Sequence, residues 1–233
     1  MTHRKHVLAA VAACAIVALA AVALLSTVTQ AESGANWMVK GAAVAAPLKP
    51  QVGVELEKLP SNGPRHLILL TKLGPEITVE ILCEEFAEIG FLLPGGSGVA
   101  STIQLTKCGT YINGALTANC TPAEPIAMKA KTLIVLVAGV ALVLLEPETG
   151  KQFGVIKFEP ACVLPEEVAI TGSLYAKESN GKFQTEEEFH LFAQALGFGG
   201  GLLFGGEPMT IDGSVKVSLL SPHALFKWSG KPA

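Results

Sequence analysis

Aspartate is nearly missing from this chain of 233 residues: of its 20 acidic residues, one, Asp212, is Asp and the other nineteen are Glu. Calcium loops built from closely spaced Asp oxygens are thereby argued against, and a catalytic pair of Asp is excluded. Charged residues make up only 16% of the chain and aromatic residues 6%. No basic patch or stripe of the kind that binds nucleic acid is present, so no nucleic-acid partner is expected. No two of the five cysteines stand in C-x-x-C spacing, which argues against zinc-ribbon and thioredoxin-type chemistry. Apolar runs long enough to cross a membrane as a helix are confined to the start of the chain. The other long run, residues 132–145, is too short for that.

The start of the chain is where the composition is most distinctive. Arg4 and Lys5 lie in a short polar opening, residues 1–6. Residues 7–25 then form an apolar run of Ala, Val, Leu and Ile, followed by small and polar residues with cleavage positions after Ala31 or Ala35. This order of charge, apolar core and small-residue end reads as a secretory signal peptide over residues 1–31. An uncleaved membrane anchor is the main alternative, and membrane contact is expected only in that case. A lipoprotein signal acylated at Cys14 is a third reading, but it would leave residues 15–24 as an apolar start on the mature chain. Cleavage after Ala31 removes two basic residues and no acid, so 15 basic side chains face 20 acidic ones and the mature net charge is −5. The expected location is outside the cell or in its envelope.

Removal of Cys14 with the signal leaves Cys83, Cys108, Cys120 and Cys162. An even set behind an export signal predicts two disulfides, with three connectivities open. Cys83 and Cys108 are equidistant from the Gly95–Gly96 junction, so a hairpin turning there would set them opposite each other. Alternation opposes this: Ile77, Val79, Ile81 and Cys83 share one face, whereas Val99, Ile103 and Leu105 leave Cys108 on the other. A bridge between them therefore requires a bulge.

Through the mature chain the dominant hydrophobic period is two. Val52, Val54 and Leu56 alternate with polar or small residues, as do Val168, Ile170 and Leu174, and again Val215, Val217 and Leu219. Turn clusters separate these runs, at 60–64, 94–98, 148–151, 179–182 and 211–213, and Asn180–Gly181 is a strong hairpin signal. The pattern predicts an all-β fold, an antiparallel sandwich or barrel. Residues 132–145 read as two buried strands joined at Ala138–Gly139, with a buried helix as the alternative. Residues 185–196 read as one short helix, because Thr185 and Glu188 match a capping box and Phe189, Phe192, Ala193 and Leu196 recur at helical spacing. A strand with Phe189, Leu191 and Ala193 on one face competes with it. One domain, 32–233, is the simplest organisation, and a split into two sheets near 121–125 is the alternative.

None of the local motifs assembles a reaction centre. The glycine-rich residues 197–206 fail the G-x-G-x-x-G frame, since Leu202 occupies its last position, and they read as a turn and strand. Ser97 in Gly95-Gly96-Ser97-Gly98-Val99 lacks the second framing Gly of a hydrolase elbow and reads as a hairpin loop. Glu186, Glu187, Glu188 and His190 lack the H-E-x-x-H spacing of a metal site. Pro147-Glu148-Thr149-Gly150 reads as a turn, and Asn119-Cys120-Thr121 is a formal glycosylation sequon. His66, His190 and His223 are the only mature histidines, and none lies in a recognisable catalytic frame. No catalytic residue, cofactor or metal ligand is expected.

The layout nevertheless resembles that of uncharacterised exported four-cysteine β-rich proteins of actinobacteria. The likeness rests on the N-terminal signal, Asn36-Trp37-Met38-Val39-Lys40-Gly41, Ile81-Leu82-Cys83, Leu105-Thr106-Lys107-Cys108 and Asn119-Cys120. It continues through Glu146-Pro147 with Gly150 and Phe153, Cys162, Thr171-Gly172-Ser173 and the last strand up to Trp228. The resemblance implies a secreted β-rich domain and carries no catalytic residues with it. The expected role is non-enzymatic: binding an extracellular protein or surface. The alternative role is a barrel that carries a small apolar ligand, for which a closed barrel with an apolar interior would be the sign. A secreted hydrolase ranks behind both.

Overall fold

The computed structural model describes residues 35–56, 67–137, 140–178, 185–192 and 201–231. The expected signal peptide, His66, the turns at 60–64, 138–139 and 179–182, and the first part of the glycine-rich stretch lie outside the described residues. The chain is all-β and antiparallel, as the period of two predicts. In chain order the strands are β1 (Asn36–Val39), β2 (Ala42–Ala43), β3 (Gln51–Leu56), β4 (Leu67–Leu73), β5 (Ile77–Leu92), β6 (Ser97–Ile112), β7 (Ala115–Leu116) and β8 (Ile126–Val137). They continue with β9 (Val140–Pro147), β10 (Gln152–Lys157), β11 (Glu167–Gly172), β12 (Leu174–Glu178), β13 (Glu186–Phe192), β14 (Leu202–Phe204), β15 (Glu207–Leu219) and β16 (Trp228–Lys231).

Thirteen of these strands form one sheet, and its pairings close on themselves twice. One ring runs β3–β5–β6–β8–β9–β12–β13–β15 and back to β3. A second runs β4–β5–β6–β8–β10–β11–β14–β15 and back to β4. The long strands β5, β6, β8 and β15 pass through both rings, and each of the other positions is filled by two short strands. On β5, for example, Ile77 to Cys83 pair with β4, whereas Ala87 to Phe91 pair with β3. The result is an eight-position barrel whose opposed walls pack together as in a sandwich around one core.

Alternation explains most of the walls. Val52, Val54 and Leu56 point inward, as do Val168 and Ile170, and Val215, Val217 and Leu219. Residues 132–145 do form two strands, with Ile134 in the main core. They lack alternation because Val135 and Leu142 are buried as well, in a separate small cluster with Tyr175. The glycine-rich stretch ends as a turn and strand: Gly205 and Gly206, both at positive φ, join β14 to β15 in a two-residue hairpin. Residues 94–98 turn the β5–β6 hairpin, and the segment around Thr121 leads into β8 within the same sheet.

The short helix expected over 185–196 is not formed: Glu186–Phe192 is the strand β13, and residues 193–196 lie partly beyond it, outside the described residues. The physical reason is tertiary. β13 pairs with β12 on one side and β15 on the other, so its backbone is hydrogen-bonded along both edges and it completes a ring. Phe189 and Leu191 then fill the core on alternate positions. The acidic residues that suit a helix start serve the strand instead: Glu186 meets Lys216 at 3.1 Å and Glu187 is buried.

Both disulfides join residues within the expected set, Cys83 to Cys108 and Cys120 to Cys162. The first is the cross-strand bridge that required an irregular hairpin, and the irregularity is present. Ser101 is an unpaired extra residue between Ala100 and Thr102, and its hydroxyl donates to the Ile89 carbonyl at 2.9 Å. Beyond it, β5 and β6 change inward phase together, from Phe86 to Cys83 and from Leu105 to Cys108, with Lys107 at φ +54°. The Cys108 N–H donates to Glu124 Oε1 at 2.6 Å, and Lys107 pairs with Glu85 at 2.6 Å on the outside of this step.

A three-stranded sheet, β16–β1–β2, covers one end of the barrel. It brings Trp37 and Trp228 together with ring centroids 6.0 Å apart, and Phe189 stacks on Trp228 at 6.3 Å. The Trp37 indole N–H donates to the Ser97 carbonyl at 2.6 Å, which fastens this sheet to the β5–β6 hairpin.

Candidate functional site

The residues singled out by motif do not converge. Ser97 is in the hairpin loop, its hydroxyl donating to the Pro94 carbonyl at 2.8 Å. His223 lies in the turn after Pro222, edge-on to Phe226 at 5.5 Å. His190 is on β13, opposite Lys177 and Ser214. Of the glutamates before it, Glu186 is in its surface ion pair and Glu187 is buried. Among the described residues no group of three His, Cys, Asp or Glu is arranged to hold a metal ion.

The interior is different. Two adjoining cavities lie among the inward-facing side chains, one of about 80 Å3 and one of about 50 Å3, both partly open to the outside. The larger lies in the β3–β9–β12–β13 half, under Trp37 and Trp228, with Val54, Ala176 and Leu191 in its wall. The smaller lies in the β4–β10–β11–β14 half, against Leu69, Phe153 and Met209. Both linings are almost wholly apolar. Among the described residues Glu88 lines both cavities and is the only titratable side chain that lines either.

The fold places Glu88 there through the step in β5. Beyond Cys83 the strand changes phase, so Phe86, Gly90 and Leu92 point inward and Glu88, between them, points inward as well. Glu88 stands opposite Val54 on β3 and Ile103 on β6, where the wall changes from one ring to the other. By exposure Glu88 is half-buried, and it borders both cavities with protein atoms crowded around its carboxyl. A Cβ on Gly90 would sit 3.4 Å from Glu88 Oε1, in ordinary van der Waals contact with the carboxyl. No hydrogen bond or ion pair from another described residue reaches the Glu88 carboxyl. Burial alone pushes it up from the ordinary carboxylate value to about 7.

Two further carboxyls face inward beyond the larger cavity. Glu178 ends β12 and hydrogen-bonds to Glu187 on β13. Burial raises Glu178 above the ordinary value, and the bond to Glu187 opposes that shift. Two carboxyls in hydrogen-bond contact hold a proton between them. The Trp228 indole N–H is buried with no acceptor among the described residues.

Sequence reasoning missed Glu88. The segment Glu84-Glu85-Phe86-Ala87-Glu88-Ile89 reads as an acidic outer face with Ile89 inward, yet Ile89 is 44% exposed. The available signal was the bulge that a Cys83–Cys108 bridge demands, because any step in β5 reverses the residues beyond it.

Fold and interior together define a class: a disulfide-bonded antiparallel barrel with an apolar, carboxyl-bearing interior. No protein-family model, curated protein or solved structure matches the chain.

Proposed function

We propose that this protein is an exported, non-enzymatic binding protein whose closed barrel holds a small apolar ligand. The observation that carries the reading is the pair of adjoining apolar cavities inside a ring of hydrogen-bonded strands. An eight-strand barrel is just wide enough for its side chains to fill, or to keep room for one small ligand. The two disulfides are consistent with an oxidising location, and the signal-like start supports export as part of the proposal.

The test is saturable binding of small apolar probes. Toluene and 1-hexanol should change the fluorescence of the protein, since Trp37 and Trp228 border the larger cavity. Ala176→Leu, which fills part of that cavity, should weaken binding by about tenfold or more, the equivalent of about 1.4 kcal/mol. Circular dichroism should show the variant folded. Binding that is unaltered in the folded Ala176→Leu protein places the probe elsewhere and defeats the proposal.

A further inference from the structure

We propose that Glu88 anchors the polar head of the ligand, and that the ligand is a small apolar amine whose ammonium meets this carboxyl while its hydrocarbon body lies in the adjoining cavities. The inference rests on the cavity reading above and adds the chemistry of the occupant. Three observations lead to it.

The first is placement. Glu88 stands at the junction of the two cavities, so a molecule lying in either one can present an end group to it. The carboxyl has no partner among the described residues, and both cavities open beside it. A buried polar group without a partner is costly, and a ligand that supplies the missing donor recovers that cost.

The second is charge. Among the described residues neither lining contains a Lys, Arg or His. An apolar acid would bring a second carboxylate to a site with nothing to balance it, so fatty-acid-like ligands are disfavoured. An alcohol offers one hydrogen-bond donor. An ammonium offers three donors and the opposite charge, and charge-assisted bonds are about twice as strong as neutral ones.

The third is size. The cavities, about 80 Å3 and about 50 Å3, together approach a cavity that takes one benzene molecule, roughly 150 Å3. Together they hold at most about one benzene-sized molecule, so a slim six-carbon amine such as hexylamine, lying through both, is the upper limit and long lipids are excluded.

The experiment is calorimetric titration of the mature, oxidised protein with hexylamine, 1-hexanol and hexanoate at about pH 8, where carboxyl and amine are both charged. Hexylamine should bind at least about tenfold more tightly than 1-hexanol, and hexanoate should not bind measurably. Glu88→Gln should remove the preference for the amine while 1-hexanol still binds. As a second readout, in protein carrying 13C-labelled glutamate, hexylamine should shift one side-chain carboxyl resonance, and Glu88→Gln should remove that resonance. If 1-hexanol binds as well as hexylamine, or if Glu88→Gln keeps the preference, the anchor is refuted and the cavity reading stands. If none of the probes binds, the cavity reading itself fails.

Discussion

At the scale of single residues, Glu88 is the side chain with the largest consequences. It holds its proton in the folded protein up to about pH 7, whereas its ordinary value is 4.5. The folded state therefore binds more protons than the unfolded state between these values, and stability falls as pH rises through that window. Below it the group contributes no penalty. Above it the full cost of the buried charge is present, about 3 kcal/mol from a shift of this size. Glu178, also raised, adds a slope of the same sign. Glu88→Gln is neutral at every pH, so it should flatten the decline between about pH 5 and pH 8 by about 2–3 kcal/mol and leave the part due to Glu178. Urea unfolding at the two pH values measures this directly. Parallel pH dependence in wild type and variant would show that Glu88 is not buried as described.

At the scale of elements, the β5–β6 hairpin sets the interior. Its extra residue at Ser101 and the shared phase change near Cys83 and Cys108 decide which side chains face in. Gly90 lies just beyond the Ser101 bulge, opposite Ala100, where β5 passes close to β6. A Cβ there would stand 2.6 Å from the Val99 carbonyl oxygen and 3.3 Å from Val52 Cγ2. The first contact is with backbone, which cannot rotate away. Gly90→Ala should therefore destabilise the protein by about 1–3 kcal/mol, the usual cost of overpacking. Thermal unfolding at one pH suffices to check it, and an unchanged midpoint would show that the strands have room to separate. β13 teaches a related lesson. Its capping box and helical spacing are genuine local signals, but two strand edges and a closing ring outweigh them.

At the scale of the whole molecule, the two halves of the barrel are held differently. Cys83–Cys108 ties the part of β5 that pairs with β4, and Cys120–Cys162 ties the turn before β8 to the turn after β10. Loops of 25 and 42 residues closed this way correspond to about 3.5 and about 4 kcal/mol of lost unfolded-state entropy. Both staples lie toward the half built from β4, β10, β11 and β14. The half containing β3, β9, β12 and β13, with the larger cavity, relies on its hydrogen bonds and on the Trp37–Trp228 sheet at its end. Native-state hydrogen exchange should consequently be slower in β4 and β10 than in β12 and β13. Reduction of the disulfides should narrow the difference. Equal or greater protection of β12 and β13 in the oxidised protein would remove this asymmetry.

Much of this protein follows from its sequence alone. The period of two, the turn clusters and the four mature cysteines determine an antiparallel all-β chain with two disulfides, because alternation and turn chemistry are local and each strand carries its own pattern. The 132–145 hairpin and the loop at 94–98 were legible for the same reason. The closed rings, the strand at Glu186–Phe192 and the inward turn of Glu88 were decided only by tertiary structure. Each depends on partners far away in the chain: Val54 of β3 pairs with Val217 of β15, and β13 lies between β12 and β15. A one-residue step reverses every side chain beyond it, so the face of Glu88 follows from how β5 and β6 are paired. A charge among glutamates reads as solvated until the register is known, and here the register turns one of them into the cavity.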